Sequence, residues 1–522
     1  MRRQERSPVS RRFRGLCQEP SDSYDCIIVG AGVGGLVCAN LLARAGLTVL
    51  LIEQHFLVGG YCSTFRRNGY TFDAATHFYP LLGNPTTITG GLLAELGLST
   101  HWVKMDPVDS FHFPDGSQFT VPAHFESYLN KVKREFPEES QQIDKFFSFV
   151  RKAYLIGLIR YFRDVPTSRI VPYQDLTLRD VLNRYFHSEK LKLLLTGDIG
   201  HWGSPPSRTS FVFDSMLRLA YFLGNYYPRG GSQVFVDELA QRFEQAGGHI
   251  LMSSTVRRIV VRNKTVCGVE IETGRSKNRT RKHVSAGSVV SNADLRQTLE
   301  SMMGSGVVNA DYLRSVRQLR HTHACFLVHI GLKNIALEEL RKAEGYHWSS
   351  WNAEDVSTSA FKVFLPTAFD PQLAPPGGQI IIVQKLTDID YRSIQDWPVH
   401  KAAIEHYVIA ALEKCLPGFS RHIVVKLSAS AHTSHRYTLN HHGAMLGWEM
   451  SPDQLGEGRP SVRGPFRNLF FTGHWTRPGG GITPVMISAM QVARLIVGTT
   501  ATQTEPVIRF ERIAGTTQEP SL

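Results

Sequence analysis

Three groups of residues have types and spacings suited to chemistry. The first is "VGAGVGGL", which sets Gly30, Gly32 and Gly35 in G-x-G-x-x-G register with Gly34 between them, followed by the carboxylate of Glu53. In such a register one glycine permits a tight turn, the next lets a pyrophosphate approach the backbone, and the third lets helix and strand pack closely. An acid about 20 residues on is placed to accept hydrogen bonds from a ribose. The second group is "VGGYCSTF", where Gly59 and Gly60 allow backbone contact with a ligand and Ser63 and Thr64 offer hydroxyls. The third lies some 400 residues later in "FFTGHWTRPGGGITPVM", with Gly473, Gly479, Gly480, Gly481 and Ile482.

These groups need elements to hold them. Cys26–Val29 reads as a buried parallel strand, Gly35–Arg44 as a helix and Thr48–Ile52 as the next strand ending at Glu53. Strand, glycine turn, helix, strand and acid in that order make a dinucleotide site. Near the other end, Leu469–Thr472 reads as a strand leading through a glycine-rich loop into a helix. A second glycine turn so far along the chain implies a second contact with one long cofactor. NAD needs no such return, whereas FAD does, and a helix N-terminus can stabilise negative charge on a reduced flavin ring. The expected cofactor is FAD.

At this point the chain resembles a known family. The opening "VGAGVGGL", "GGYCSTF" and "GYTFDAATH", with the closing "FFTGHWTRPGGGITPVMISAMQVARLI", is similar to the flavin amine oxidase superfamily, and within it to the phytoene desaturase, carotenoid isomerase and retinol saturase branch. Residues 128–147 ("YLNKVKREFPEESQQIDKFF") are similar to a helix of the isomerase and saturase members, and 228–274, 286–294 and 436–448 match the family's middle segments in order and spacing. The resemblance implies that the strand backbone near Val256 borders the adenine. It also shows departures. Gly473-His474 stands where many members have Gly-Asp, so the usual carboxylate toward the ribityl chain is missing, as it often is in carotenoid desaturases. Asp73-Ala74-Ala75-Thr76 replaces a usual Asp-x-Gly, which puts His77 near the flavin. His77 and His474 are therefore the candidates for catalytic polar groups, although a satisfied histidine without a catalytic role is the plainer reading of each.

The fold class implied is α/β: a discontinuous, glutathione-reductase-like Rossmann domain for FAD with an inserted α+β substrate domain. The FAD domain is expected over 24–90, 228–300 and 465–498, and the substrate domain over 91–227 and 301–464. Residues 1–23 read as a disordered basic tail and 499–522 as a C-terminal tail. The first 22 residues hold six arginines against three acids, so about +9 of the net +12 belongs to the body. No nucleic-acid motif accompanies that charge, and an anionic membrane surface is the better match. Seven scattered cysteines with no C-x-x-C argue against a disulfide framework and for an intracellular setting. The stretch Tyr154–Phe162, apolar but interrupted by Arg160, suits peripheral membrane contact. "TSFVFDSMLRLAYFLGNYY" (209–227) carries apolar residues on most faces and reads either as core or as the wall of an apolar tunnel. The loop 274–283 is read as a basic hairpin tip, and the glycosylation pattern at Asn278 is discounted.

Other chemistries fare worse. His432, His435, His441 and His442 cluster without a metal-ligand pattern, and no metal site is expected; no G-x-S-x-G elbow is present. Three functional readings remain. The first is an FAD enzyme acting on a long apolar polyene or isoprenoid, most simply a carotenoid desaturase or cis–trans isomerase, with saturase or ketolase chemistry as variants. The second is a flavin amine oxidase, and the third a non-catalytic prenyl-lipid escort. The intact Glu53 and closing glycine turn argue against the escort. The electron partner leaves no mark in the sequence.

Overall fold

A computed structural model describes residues 19–163, 173–274 and 279–500. Two seven-stranded sheets organise it. In the first, the order is His249–Leu251, Val49–Ile52, Ser23–Val29, Thr280–Ser291, Thr265–Thr273 and Ser254–Arg262, and Leu469–Phe471 joins beside Thr280–Ser291. The strand Thr280–Ser291 serves two purposes. Its first half pairs antiparallel with Thr265–Thr273, and its second half pairs parallel with Ser23–Val29. The helix Val33–Arg44 is buried along nearly its whole length, apolar on all faces, and lies between this sheet and the helices Ser232–Gln245 and Ile482–Thr500.

The second sheet runs Ile423–Ala429, Ala324–Lys333, Gly378–Thr387, Ala360–Phe364, Gly345–Trp348, Asp109–His112 and Gln118–Val121. All seven strands come from within 91–227 and 301–464. One face carries a large aromatic cluster shared with the helices Phe125–Glu135, Ser140–Arg163, Leu178–Tyr185 and Phe211–Phe222. The other face packs on Val408 and Leu412 of Trp397–Cys415. A small sheet of Tyr79–Pro80, Asn225–Pro228 and Trp102–Lys104 stitches the two units together.

Side-chain packing crosses the expected boundaries at residues 90 and 300. The helix Ile88–Glu95 places Leu92 and Leu93, with Leu96 behind it, in the core around Leu36 and Leu41. Leu299, Met303, Leu313 and Val316 pack with Val29, Ile52 and Val256. Residues 91–96 and 299–316 therefore complete the nucleotide unit, because their apolar stripes face its sheet rather than the second one. Tyr154 also differs from the interfacial expectation. It turns inward and is buried, and the exposed large apolar residues among the described side chains of that helix are Leu155 and Ile159. The side chains of 160–163, most of both tails and the glycosylation pattern at Asn278 lie outside the described residues.

Candidate functional site

The strand Ser23–Val29 ends at Gly30, whose N–H bonds Ile52 O at 2.8 Å and whose φ is +99°, a conformation glycine adopts without strain. The chain then enters Val33–Arg44. Its close approach to the turn is literal: a Cβ on Gly35 would lie 2.1 Å from Gly30 O. A Cβ on Gly34 would lie 2.7 Å from Asn292 Oδ1, and one on Gly473 would meet the same oxygen at 2.7 Å. Asn292 Nδ2 donates to Gly30 O at 3.2 Å. One asparagine thus fills the space between the first and last glycine turns. Gly32 and Gly59 bridge each other, which brings the second glycine turn alongside.

Glu53 Oε2 accepts from Ala31 N at 2.8 Å and Oε1 from His55 N at 2.8 Å. Burial raises its pKa, and the N–H donors of His55, Ala31 and Gln54 pull it back. Each oxygen retains a lone pair, so the carboxylate can still accept two ribose hydroxyls. Val256, which lines the cavity, sits where the pairing of Ser254–Arg262 with Thr265–Thr273 slips between Val256 and Arg258.

These residues open into one cavity of about 1570 Å³. Gly30, Gly32, Gly34, Glu53, Gly59, Gly60, Ser63, Thr64, Val256, Gly473, Gly480, Gly481 and Ile482 all line it; Gly35 lies behind the wall, in the helix–turn contact. The start of Ile482–Thr500 faces the same space, and a Cβ on Gly480 would lie 2.2 Å from Leu446 O. The glycine cradle, the carboxylate and the helix end fit an extended dinucleotide, one end at Glu53 and the other at Gly480–Ile482.

His77 and His474 both line the cavity, and both are neutral. His77 is buried, stacks on Phe364 at 4.5 Å, and donates from Nδ1 to Ala75 O at 3.0 Å. Its burial, with the charge of Lys362 adding, lowers its pKa to about 3. His474 bonds Asn440 Oδ1 through Nε2 at 3.2 Å, and since an amide oxygen only accepts, Nε2 carries the proton. Burial and the nearby Arg459 charge lower its pKa to about 3. Neither imidazole supplies a positive charge near neutral pH. Their assigned work is packing and fixed hydrogen bonds, and neither geometry shows a catalytic acid.

Asn292 and Asp294 are among the lining residues that sequence reasoning did not single out. Asp294 accepts from Gln297 N at 2.9 Å and His441 N at 2.8 Å, and burial raises its pKa to about 6. Both fall in 286–294, a segment matched only in order and spacing, and the pairing of Thr280–Ser291 with Ser23–Val29 is what brings them to the glycine turn.

The family model of flavin-containing amine oxidoreductases matches residues 33–497, from the start of the helix that follows the first glycine turn to beyond the last glycine turn. The chain belongs to that family. It is an FAD-dependent oxidoreductase, as its sequence resemblance implied. Among its relatives, all-trans-retinol 13,14-reductase of Danio rerio is 24% identical over 513 residues, covering 88% of this chain and 83% of that one. Prolycopene isomerase of Daucus carota is 23% identical over 508 residues, covering 91% and 80%. A solved oxidoreductase from Methanosarcina mazei shares the fold with a TM-score of 0.64 at 17% identity, over 90% of this chain and 99% of that one.

Beyond the dinucleotide cradle the cavity continues between the two inserted segments. This arm is lined by Tyr154, Leu158, Phe213, Met216, Leu217 and Leu327, among others. The helix Phe211–Phe222 thus satisfies both sequence readings at once. Phe211 and Leu219 are core, while Phe213, Met216, Leu217, Ala220 and Tyr221 form wall. Among the described lining residues the only carboxylates are Glu53 and Asp294, and neither is on the arm.

Proposed function

We propose that this FAD-dependent oxidoreductase acts on a long apolar polyene, by carotenoid-type desaturation or cis–trans isomerisation. The observation that carries the reading is the single cavity, which joins the cofactor cradle to an apolar lining of Tyr154, Leu158, Phe213, Met216, Leu217 and Leu327. Its volume of about 1570 Å³ is shared between the cofactor cradle and the apolar arm. Relatives named for retinol and prolycopene support a polyene. When bound, FAD supplies two-electron exchange with a carbon stacked against it. The chain's own part is to exclude water with the arm's apolar wall, to align the polyene, and to keep His77 and His474 neutral so that no fixed imidazolium attracts water. The helix start at Ile482 adds partial positive charge at the inner end of the cradle.

An amine fits less well. The arm lacks a lining carboxylate to pair an ammonium group, and the buried Lys362 ammonium lies behind its wall, 5.3 Å from the lining Phe78 ring, where it would repel a second cation. We also infer peripheral contact with a membrane surface. Leu155 and Ile159 are 59% and 50% exposed on the helix whose Tyr154 and Leu158 line the arm, so substrate in lipid would have a short path inward.

The test is incubation of the FAD-loaded protein with cis and trans polyenes in liposomes, aerobically and with the flavin prereduced. New conjugation supports desaturation, a changed isomer ratio at constant mass supports isomerisation, and a gain of two hydrogens moves the assignment to saturation. Hydrogen peroxide production from small amines, with polyenes unchanged, overturns the reading.

A further inference from the structure

Past Glu53, at the end of the cavity away from the arm, two backbone irregularities meet. The glycine turns suit a pyrophosphate and Glu53 a ribose, so the base of a dinucleotide belongs on the side of Glu53 away from Gly30. Ser254 N donates to Glu53 O at 2.9 Å, which sets the lining residues Ser254, Thr255 and Val256 directly past the acid. The slip in strand pairing after Val256 is the first irregularity. The second is the single π-helical turn Gln297–Met302, which packs on Ser254–Arg262. Such turns and slips give up regular backbone pairing and recur beside binding sites. The wide turn also decides which side chains face the cavity. In an α-helix residues three and four apart share a face, so Gln297 would have Glu300 beside it. With the wider spacing, Gln297, Ser301 and Met302 line the cavity together, while Glu300 is turned out of the lining and pairs with Arg317 at 2.8 Å. An amide is presented there and a carboxylate is kept away.

Polar groups at this end are unmatched. Gln297 N–H donates to Asp294 Oδ1 at 2.9 Å, but its side-chain amide makes no hydrogen bond among the described residues. His55 lines the same end, and its Nδ1 accepts from Leu57 N at 3.2 Å. Its proton is therefore on Nε2, and that buried N–H has no partner among the described residues. A free amide and an orphaned N–H, with apolar cover from Val256 and Met302, suit a flat ring with a polar edge. We propose that Gln297 reads the adenine edge of FAD, its amide N–H donating to a ring nitrogen while its carbonyl accepts from the 6-amino group. Adenine carries that donor and acceptor side by side, the pattern a glutamine amide meets with two hydrogen bonds. Gln297 is then the residue that makes the site selective for the adenine dinucleotide, whatever the arm holds.

The experiment exchanges the cofactor of the full-length, FAD-loaded protein. It is dialysed against equal mixtures of FAD and 1,N6-etheno-FAD, whose fused ring blocks both the 6-amino group and N1, and the bound ratio is read by chromatography after release. The wild type should retain FAD over the etheno form about tenfold, the worth of one or two hydrogen bonds. Gln297→Met, of similar length but without polar atoms, should bring the ratio close to one while keeping bound flavin and a cooperative melt. Where Gln297→Met holds too little flavin to exchange, Gln297→Glu gives the reading instead: its carboxylate accepts but no longer donates, and the preference should fall. A wild-type ratio near one would overturn base reading at this end of the cavity. A preference that survives both substitutions would overturn the role of Gln297 and assign the reading to the backbone around Val256.

Discussion

Glu53 and the glycines show how differently neighbouring residues serve one site. Glu53 has no salt-bridge partner among the described residues, and its carboxylate accepts only backbone N–H groups on the protein side. Glu53→Ala removes a charged acceptor for the ribose, worth about 1.5–3 kcal/mol, and should therefore weaken FAD retention on dialysis with the fold intact. Unchanged flavin content would contradict this placement. Two glycine substitutions should then fail for different reasons. At Gly35 a Cβ collides with backbone, so Gly35→Ala should lower stability itself, by about 1–3 kcal/mol or more. At Gly32 the nearest atom to a new Cβ is Asn292 Nδ2 at 3.0 Å, a side chain with some freedom. Gly32→Val should instead give a folded protein without yellow colour, because the added methyls occupy the cofactor's approach. Thermal melts and flavin spectra of both variants separate the two outcomes.

His474 makes a pH prediction at the same scale. Its folded pKa of about 3 is below the ordinary imidazole value of 6.5, so the neutral form is what the fold stabilises. That stability is fully present above pH 6.5 and is lost as pH falls from 6.5 toward 3, by at most about 1.4 kcal/mol per pH unit. Asp294, with its pKa raised to about 6, acts in the opposite direction, gaining as pH falls from about 6 toward 3.8. The comparison must therefore be made against a variant. His474→Gln, whose amide can still donate to Asn440, should lose less stability than the wild type between pH 7.5 and 5 in denaturant titrations. Parallel losses would place the titrating groups elsewhere. The sequence exposed both histidines but not their protonation, since the deciding partners, Asn440 and Lys362, are distant in the chain.

At the scale of elements, legibility followed locality. The strand, turn, helix and strand over 23–52 were readable because all their signals fall within one stretch. The bulge at Val256–Arg258, the two-sided role of Thr280–Ser291 and the π-helical turn Gln297–Met302 depend on long-range pairing and were not. The same holds for the two helices that wall the arm. Ser140–Arg163 and Phe211–Phe222 meet at Gly157, where a Cβ would lie 2.5 Å from Met216 Sδ and 3.1 Å from Val212 Cγ1. Gly157→Leu should push these helices apart or force Met216 into the cavity, at about 1–3 kcal/mol. The expected result is weaker binding of long polyenes with normal flavin content, since the cradle uses other elements. Loss of flavin with retained polyene binding would show that the arm has been assigned to the wrong helices.

For the whole molecule, the proposed apolar substrate raises the question of how it would reach a buried arm from lipid. No helix among the described residues is long and apolar enough to cross a membrane, and the contact we propose is surface docking. Two features would drive it. Leu155 and Ile159 project from the helix that walls the arm, and the formal charge of +12 favours an anionic interface. Apolar insertion contributes roughly 25 cal/mol per Å² buried and is insensitive to screening, whereas each basic residue near an anionic surface adds about 1 kcal/mol that salt removes. The two contributions can be separated by flotation. The wild type should float with anionic liposomes at low salt and less so at high salt. Leu155→Ser with Ile159→Ser should lower the high-salt fraction most, because there the apolar contribution stands nearly alone. Failure to float under either condition would remove membrane docking from the proposal and leave the FAD site untouched. Equal flotation of the wild type and the double variant at high salt would move the docking face away from this helix, and the short path from lipid to the arm would go with it.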